Sequence, residues 1–191
     1  KLGLPVQRDE TWRYTDLRSL AAQSFAAASC EFDGDAQANA PLSLVDAEQR
    51  ATTIVLVNGC PPLPAVIPDI YGIKINSIRE LFEVDPKSVA RFFEPASDAD
   101  QRRWVLLNTA LFTDGLYLKI TQAVSAPLVI LHLSSGEAGQ AAHPRIIIDA
   151  LPGSSATIIE HHVTRGDVAP LTNSNTHISL GTDARLEHYR V

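Results

Sequence analysis

Short apolar segments recur at a nearly constant spacing in the second half of the sequence, and this recurrence constrains the fold more than any other feature. Two interleaved sets show spacings of about 29–31 and about 28–29 residues. They begin at Leu116, Arg145 and Thr176, and at Leu128, Ala156 and Arg185. No helix-length segment intervenes, which excludes a βαβ architecture there. Two strands per unit predict a solenoid whose turns stack on one another, and an antiparallel sandwich is the alternative.

The first half of the sequence mixes helical and strand patterns. Apolar spacing and breaker residues predict helices at Arg8–Phe25, Ser43–Arg50, Ile78–Val84, Lys87–Phe93 and Ala99–Phe112. Runs of β-branched residues predict strands at Thr53–Val57 and Gly72–Ile75. Helical spacing stops at Asp114-Gly115. We therefore expect a mixed, mostly helical N-terminal domain over residues 1–114 and a β domain over residues 115–191.

Composition excludes several classes of protein. With 45% hydrophobic and 20% charged residues, the sequence is typical of a globular protein. A formal net charge of −6 argues against nucleic-acid binding, which needs clustered Lys and Arg. No apolar run approaches the ~18 residues of a membrane span. Cys30 and Cys60 have no close spacing, so we expect a reduced cytoplasmic protein, with one disulfide as the alternative.

The two ends of the sequence suggest that it is part of a longer protein. There is no Met, so Lys1 is not a translational start. The last residues, Arg185–Val191, have a strand pattern with no turn or polar tail after them. We therefore expect further residues beyond both ends.

Three motifs in series resemble the SufB/SufD family, and within it the SufD branch. The first is GLP at residues 3–5 followed by RDETWRYTDL at 8–17, similar to the opening motif of that branch. The second, LNTALFTDG at 107–115, is similar to the family's entry into its core domain. The third comprises IIEHH at 158–162 and LEHY at 186–189. The three motifs occur in the family's order and extend over nearly the whole sequence.

The resemblance implies an N-terminal helical domain, a central right-handed parallel β-helix and a C-terminal helical domain, the last lying outside this sequence. It implies a non-catalytic scaffold subunit of an iron–sulfur cluster assembly complex, paired with a SufB-type paralogue and a SufC-type ATPase, or with a second copy of itself. The N-terminal region lacks the cysteine cluster of the SufB branch, which counts against a cluster held here on thiolates. We expect no tightly bound cofactor, with iron or an iron–sulfur cluster bound only in the complex.

The histidines are the candidate site residues. His132, His161 and His188 are about 29 and 27 residues apart, close to the repeat. In a solenoid they would stack about 4.8 Å apart, and with Glu160 and Glu187 they could bind iron or zinc. Side chains alternate along a strand, however, so His161 and Glu160 should lie on opposite faces. A structural role is the expected one, and a histidine-ladder metal protein is an alternative.

Other enzymatic functions find little support in the motifs. The sequence contains no P-loop, no G-x-G-x-x-G after a strand and no G-x-S-x-G elbow. A β-helix carbohydrate-active enzyme is the remaining alternative, although no secretion signal and no repeated Asn or Asp on one face accompany the strands.

Overall fold

The computed structural model describes residues 3–30, 45–46, 48–61, 70–93, 99–135, 139–165 and 170–191, and this part of the chain is mainly β. Its strands are β1 (Ala26–Ala27), β2 (Thr53–Val57), β3 (Ile73–Ser77), β4 (Gly115–Ile120), β5 (Leu128–Ser134), β6 (Gln140–Ala142), β7 (Arg145–Ala150), β8 (Ser155–Thr164), β9 (Leu171–Thr172), β10 (Asn175–Leu180) and β11 (Arg185–Arg190). Its α-helices are α1 (Arg18–Ala21), α2 (Ile78–Val84), α3 (Pro86–Ala90) and α4 (Ala99–Leu111). Short 3-10 helices lie at Glu10–Trp12, Arg50–Thr52 and Arg91–Phe93.

The strands form three sheets, and almost every pairing is parallel. One sheet has the order β11-β8-β5-β2, a second β10-β7-β4-β3, and a small third sheet β1-β6-β9. Among the paired strands described, only β3 and β4 run antiparallel. The strands β5 and β7 lie in different sheets and form no hairpin. The prediction of a mainly β fold with parallel strands is confirmed, and the antiparallel sandwich is wrong.

From β4 onwards, the register of these sheets repeats every 30 residues. Gly115, Arg145 and Asn175 are direct neighbours in one sheet, as are Leu128, Ile158 and His188 in the other. Ala141 and Leu171 show the same offset in the third sheet. The sequence spacing of about 29 residues was therefore close to the true repeat but one residue short. Strands β2 and β3, from the region before residue 115, join the same two large sheets.

The core lies between the two four-stranded sheets. Alternate residues of each strand point into it, including Leu116, Ile146, Leu128 and Ile158, which are at most 1% exposed. The opposite faces are also covered: Val45 packs on β2 and β5, and Val89 and Phe92 pack on β4 and β7. Because both faces are buried, β2, β5 and β7 are nearly continuous runs of Val, Ile and Leu, as parallel strands usually are.

A buried arginine joins the helical region to the second sheet. Arg145, at the start of β7, is 2% exposed and donates hydrogen bonds to Asn108 Oδ1 and Thr109 Oγ1 on α4. It also donates to the Phe92 carbonyl and stacks on the Phe93 ring, 4.1 Å from the ring centre. Position 115, which lies beside Arg145, is occupied by glycine, because a Cβ there would collide with the Arg145 carbonyl oxygen. These contacts fix α4 against the start of β7.

Most elements lie where the sequence predicts them, but the first predicted helix is wrong. Residues 8–25 contain only the 3-10 helix at Glu10–Trp12 and the short α1. Asp9 accepts a hydrogen bond from the Val6 amide, and Asp16 accepts one from the Arg18 amide. Such local side-chain bonds compete with a continuous helix. The helix predicted at Ser43–Arg50 is also wrong for its described residues 45–46 and 48–50, which contain only the first residue of the 3-10 helix at Arg50–Thr52, whereas residues 43, 44 and 47 lie outside the described residues.

The two cysteines form a disulfide, contrary to the expectation of reduced thiols. Cys30 and Cys60 are joined with a Cα–Cα distance of 5.7 Å. Hydrogen bonding already brings their neighbours together, since Asn58 donates to the Ser29 carbonyl. The pairing therefore depends on tertiary contacts that sequence spacing does not reveal. In the part of the chain described, no helix is long and apolar enough to cross a membrane.

Candidate functional site

The inward face of β8 changes from apolar to charged at Glu160. Ala156 and Ile158 point into the core between the sheets, and Glu160 continues the same face two residues later. Its side chain is 0% exposed. Burying a carboxylate is costly unless it is paired and hydrogen-bonded, so its neighbours define the chemistry of this region.

Four side chains from three strands contact the Glu160 carboxylate. His132 Nε2 on β5 lies 2.8 Å from Oε2, and His188 Nε2 on β11 lies 2.7 Å from Oε1. Thr176 Oγ1, from β10 in the facing sheet, donates to Oε1 at 2.8 Å. Arg190 of β11 reaches Oε2 at 3.4 Å. The carboxylate is thus surrounded by donors from both sides of the core.

A second imidazole lies against the first. His162 is the register partner of His132, and their parallel rings stack with centres 4.3 Å apart and planes 3° apart. Its Nε2 is 3.7 Å from Glu160 Oε2, beyond direct hydrogen-bond distance. The His162 side chain is 28% exposed, whereas that of His132 is 2% exposed. We refer to His132, Glu160, His162 and His188 as the Glu160 cluster.

The electrostatics of this cluster favour an ionised carboxylate and neutral His132. Burial opposes ionisation of Glu160, but the hydrogen bonds from His132 and Thr176 and the nearby His162 outweigh it and hold its pKa below the ordinary value. Burial lowers the pKa of His132, and its contact with Glu160 only partly offsets this. With Nε2–H donating to Glu160, His132 Nδ1 is a buried acceptor without a hydrogen-bond partner among the described residues.

The structure brings together two of the three histidines expected from the sequence and replaces the third. His132 and His188 both contact Glu160, which lies 28 residues from each of them in the sequence. His161 is the register partner of Leu131 and lies on the opposite face of β8, as its alternation with Glu160 predicts. The predicted stack of His132 on His161 is therefore wrong.

His162 is the residue that sequence reasoning missed. A repeat of 30 residues would have found it, because it pairs His132 with His162. Glu187, also expected near the histidines, points away from the cluster. It is exposed and accepts a hydrogen bond from Thr157 Oγ1 at 3.3 Å. Whether the cluster binds a metal stays a prediction.

The comparisons with known proteins identify the class of protein. The chain belongs to the SufBD family. Residues 1–130 match the family's SufBD protein N-terminal region, and residues 132–191 match the SUF system FeS cluster assembly, SufBD core domain. The chain is SufD-like. It is 26% identical over 197 residues to the iron–sulfur cluster assembly protein SufD of Escherichia coli strain K12, an alignment covering 100% of this chain and 43% of that relative. The chain therefore spans less than half the length of this relative.

Proposed function

We propose that the protein is a non-catalytic scaffold subunit of SUF iron–sulfur cluster assembly, working in the cytoplasm with a SufB-type paralogue and a SufC-type ATPase. One observation carries the proposal. Two family models match in order over residues 1–130 and 132–191, and SufD of Escherichia coli aligns along the whole chain. Iron or an iron–sulfur cluster is then the cargo of the complex.

We infer that the parallel strands are successive coils of a right-handed β-helix. The register offset of 30 residues recurs in both large sheets, so β7 and β10 in one sheet, and β8 and β11 in the other, each lie on the strand one repeat earlier. In a coil of this kind each turn contacts only its neighbours, and the stacked turns form an extended surface, which suits a scaffold.

A scaffold role also agrees with the chemistry of the Glu160 cluster. His132 and His188 contact a carboxylate rather than a hydroxyl or thiol nucleophile. The same carboxylate accepts a bond from Thr176, which ties the two sheets together. These contacts are those of a binding or structural cluster.

Co-expression with the SufB-type and SufC-type proteins of the same cell tests the proposal. We expect affinity purification through this protein to recover both partners in fixed stoichiometry, and size-exclusion chromatography to keep them together. A SufB-type chain expressed without its own partner-binding segments is the matched control for nonspecific recovery. Elution of the protein alone, or as a homodimer, while both partners are present and folded would contradict the scaffold role.

A further inference from the structure

We propose that the Glu160 cluster is a binding site for a divalent first-row transition metal, with His132, Glu160 and His162 as ligands and His188 as a fourth donor. The inference does not depend on the scaffold function, because it concerns a site contained within this chain. Its starting point is geometric. One ligand atom from each of His132, Glu160 and His162 lies within 4.8 Å of the others.

The donor set selects the kind of ion. Imidazole nitrogen together with one carboxylate oxygen suits Zn²⁺, Fe²⁺ or Co²⁺, whereas Mg²⁺ and Ca²⁺ prefer oxygen ligands alone. His188 Nε2, 2.7 Å from Glu160 Oε1, adds a third imidazole on the other oxygen. Thr176, whose hydroxyl donates to Oε1 at 2.8 Å, orients the carboxylate from the facing sheet, as second-shell partners of metal ligands do.

The charge of the site can accommodate a cation. Glu160 is buried, and the nearest guanidinium nitrogen of its cationic neighbour Arg190 lies 3.4 Å from Oε2, a long contact for an ion pair. Arg190 Nη2 lies farther from the carboxylate, at 3.4 Å, than the imidazole nitrogens of His132 and His188, at 2.8 and 2.7 Å, so it is the contact that a metal ion replaces most easily. Arg190 therefore competes with the metal for the same carboxylate, and its removal should strengthen binding.

Binding requires one ring to move. A metal lies close to the ring plane of the histidine that binds it, and the His132 and His162 planes are stacked only 3° from parallel. They cannot both point at one ion in this arrangement. His132 is hydrogen-bonded to Glu160 at 2.8 Å, whereas His162 Nε2, at 3.7 Å, is beyond hydrogen-bond distance of the carboxylate. His162 is thus the ring that turns.

Titration of the purified protein with Co²⁺, followed by visible absorption and equilibrium dialysis, tests the site. We expect one Co²⁺ per chain with the ligand-field bands of a nitrogen–oxygen donor set. Glu160→Gln and His162→Asn should each weaken binding more than about tenfold, the loss caused even by removing an outer-shell partner. Arg190→Gln should strengthen it. His161→Asn, one residue away on the other face of β8, is the matched control and should bind as the wild type does.

Three results would overturn the proposal: no Co²⁺ bound at millimolar concentration, equal binding by Glu160→Gln, or equal loss in His161→Asn and His162→Asn. Circular dichroism establishes that each variant is folded. If Glu160→Gln does not fold, the partly exposed His162 still decides the question. Because binding is measured without partners, a negative result here leaves the co-purification test of the scaffold role intact, and the reverse also holds.

Discussion

Two buried charged side chains in this protein, Arg145 and Glu160, are stabilised by different kinds of neighbour. Arg145 has no carboxylate partner among the described residues; neutral oxygens of Asn108, Thr109 and Phe92 and the face of Phe93 surround it. Burial lowers its pKa to about 10, which leaves it charged. Glu160 is instead surrounded by histidines and Arg190. The partners of Arg145 are neutral oxygens and a ring face, whereas those of Glu160 are imidazoles and a guanidinium.

The difference separates an anchor from a site. Every group that contacts Arg145 belongs to an element that the arginine holds in place. Replacing Arg145 should therefore lower the stability of the fold without affecting the binding of a ligand. The groups around Glu160 are instead imidazoles and a guanidinium, and neutral imidazole is a common metal ligand. A buried carboxylate with imidazole neighbours can bind a metal ion, whereas a buried arginine among neutral oxygens cannot.

The largest effect is expected at Arg145. Arg145→Met removes the hydrogen bonds that Arg145 donates to the buried oxygens of Asn108 and Phe92, and should lower the free energy of unfolding by about 3 kcal/mol. Urea denaturation measures this. Arg18→Met, which removes an exposed arginine paired with Asp16, is the control and should leave the midpoint unchanged. A similar loss in both variants would show that Arg145 is not an anchor.

A smaller effect is expected at Glu160. Glu160→Gln keeps the shape of the side chain and two of its hydrogen bonds but removes the charge that strengthens them. The free energy of unfolding should fall by about 1–2 kcal/mol, again by urea denaturation. A loss as large as that of Arg145→Met would mean that this cluster, too, is primarily an anchor.

The cationic surroundings of Arg145 also predict a pH dependence. Burial, together with the nearby Arg145 and Arg91, lowers the pKa of His177, which packs edge-on against Phe92. The unfolded chain therefore binds a proton at His177 first, and the contribution of this residue to stability should fall as the pH drops below about 6.5, by at most about 1.4 kcal/mol per pH unit. Unfolding measured between pH 7.5 and 5.5 checks this. A His177→Gln variant with an equally steep profile would contradict it.

The smallest effects distinguish the two adjacent histidines of β8. His162→Asn removes a stacked ring and should cost about 0.5–1.5 kcal/mol. His161→Asn removes a half-buried ring on the outer face and should change stability by less than about 0.5 kcal/mol. Thermal unfolding of both variants measures the difference. The reverse order would mean that His161 is the inward residue.

The parallel sheets could be predicted from the sequence because their apolar runs and turns are local signals. The runs at Arg145–Ala150 and Thr53–Val57 match β7 and β2 without any shift of boundary. The candidate site could be predicted only in part, because register depends on pairing between distant strands. A repeat shorter by one residue selects His161 in place of His162, since a slip of one residue moves every side chain to the other face.

The role of Arg145 could not be predicted from the sequence. Its partners Asn108, Thr109 and Phe92 lie on elements far away in the sequence, and nothing at position 145 distinguishes a buried arginine from an exposed one. The Cys30–Cys60 disulfide was missed for the same reason, since only the folded chain brings the two cysteines together.

The most direct test of the comparison is the urea unfolding midpoint with and without Co²⁺ in the wild type, Arg145→Met and Glu160→Gln. A ligand that binds only the native state stabilises it in proportion to RT ln(1 + [L]/Kd). We expect Co²⁺ to raise the midpoint of the wild type and, from a lower start, that of Arg145→Met, but not that of Glu160→Gln. An equal rise in Glu160→Gln, or none in folded Arg145→Met, would contradict the assignment of one buried charge to a site and the other to an anchor.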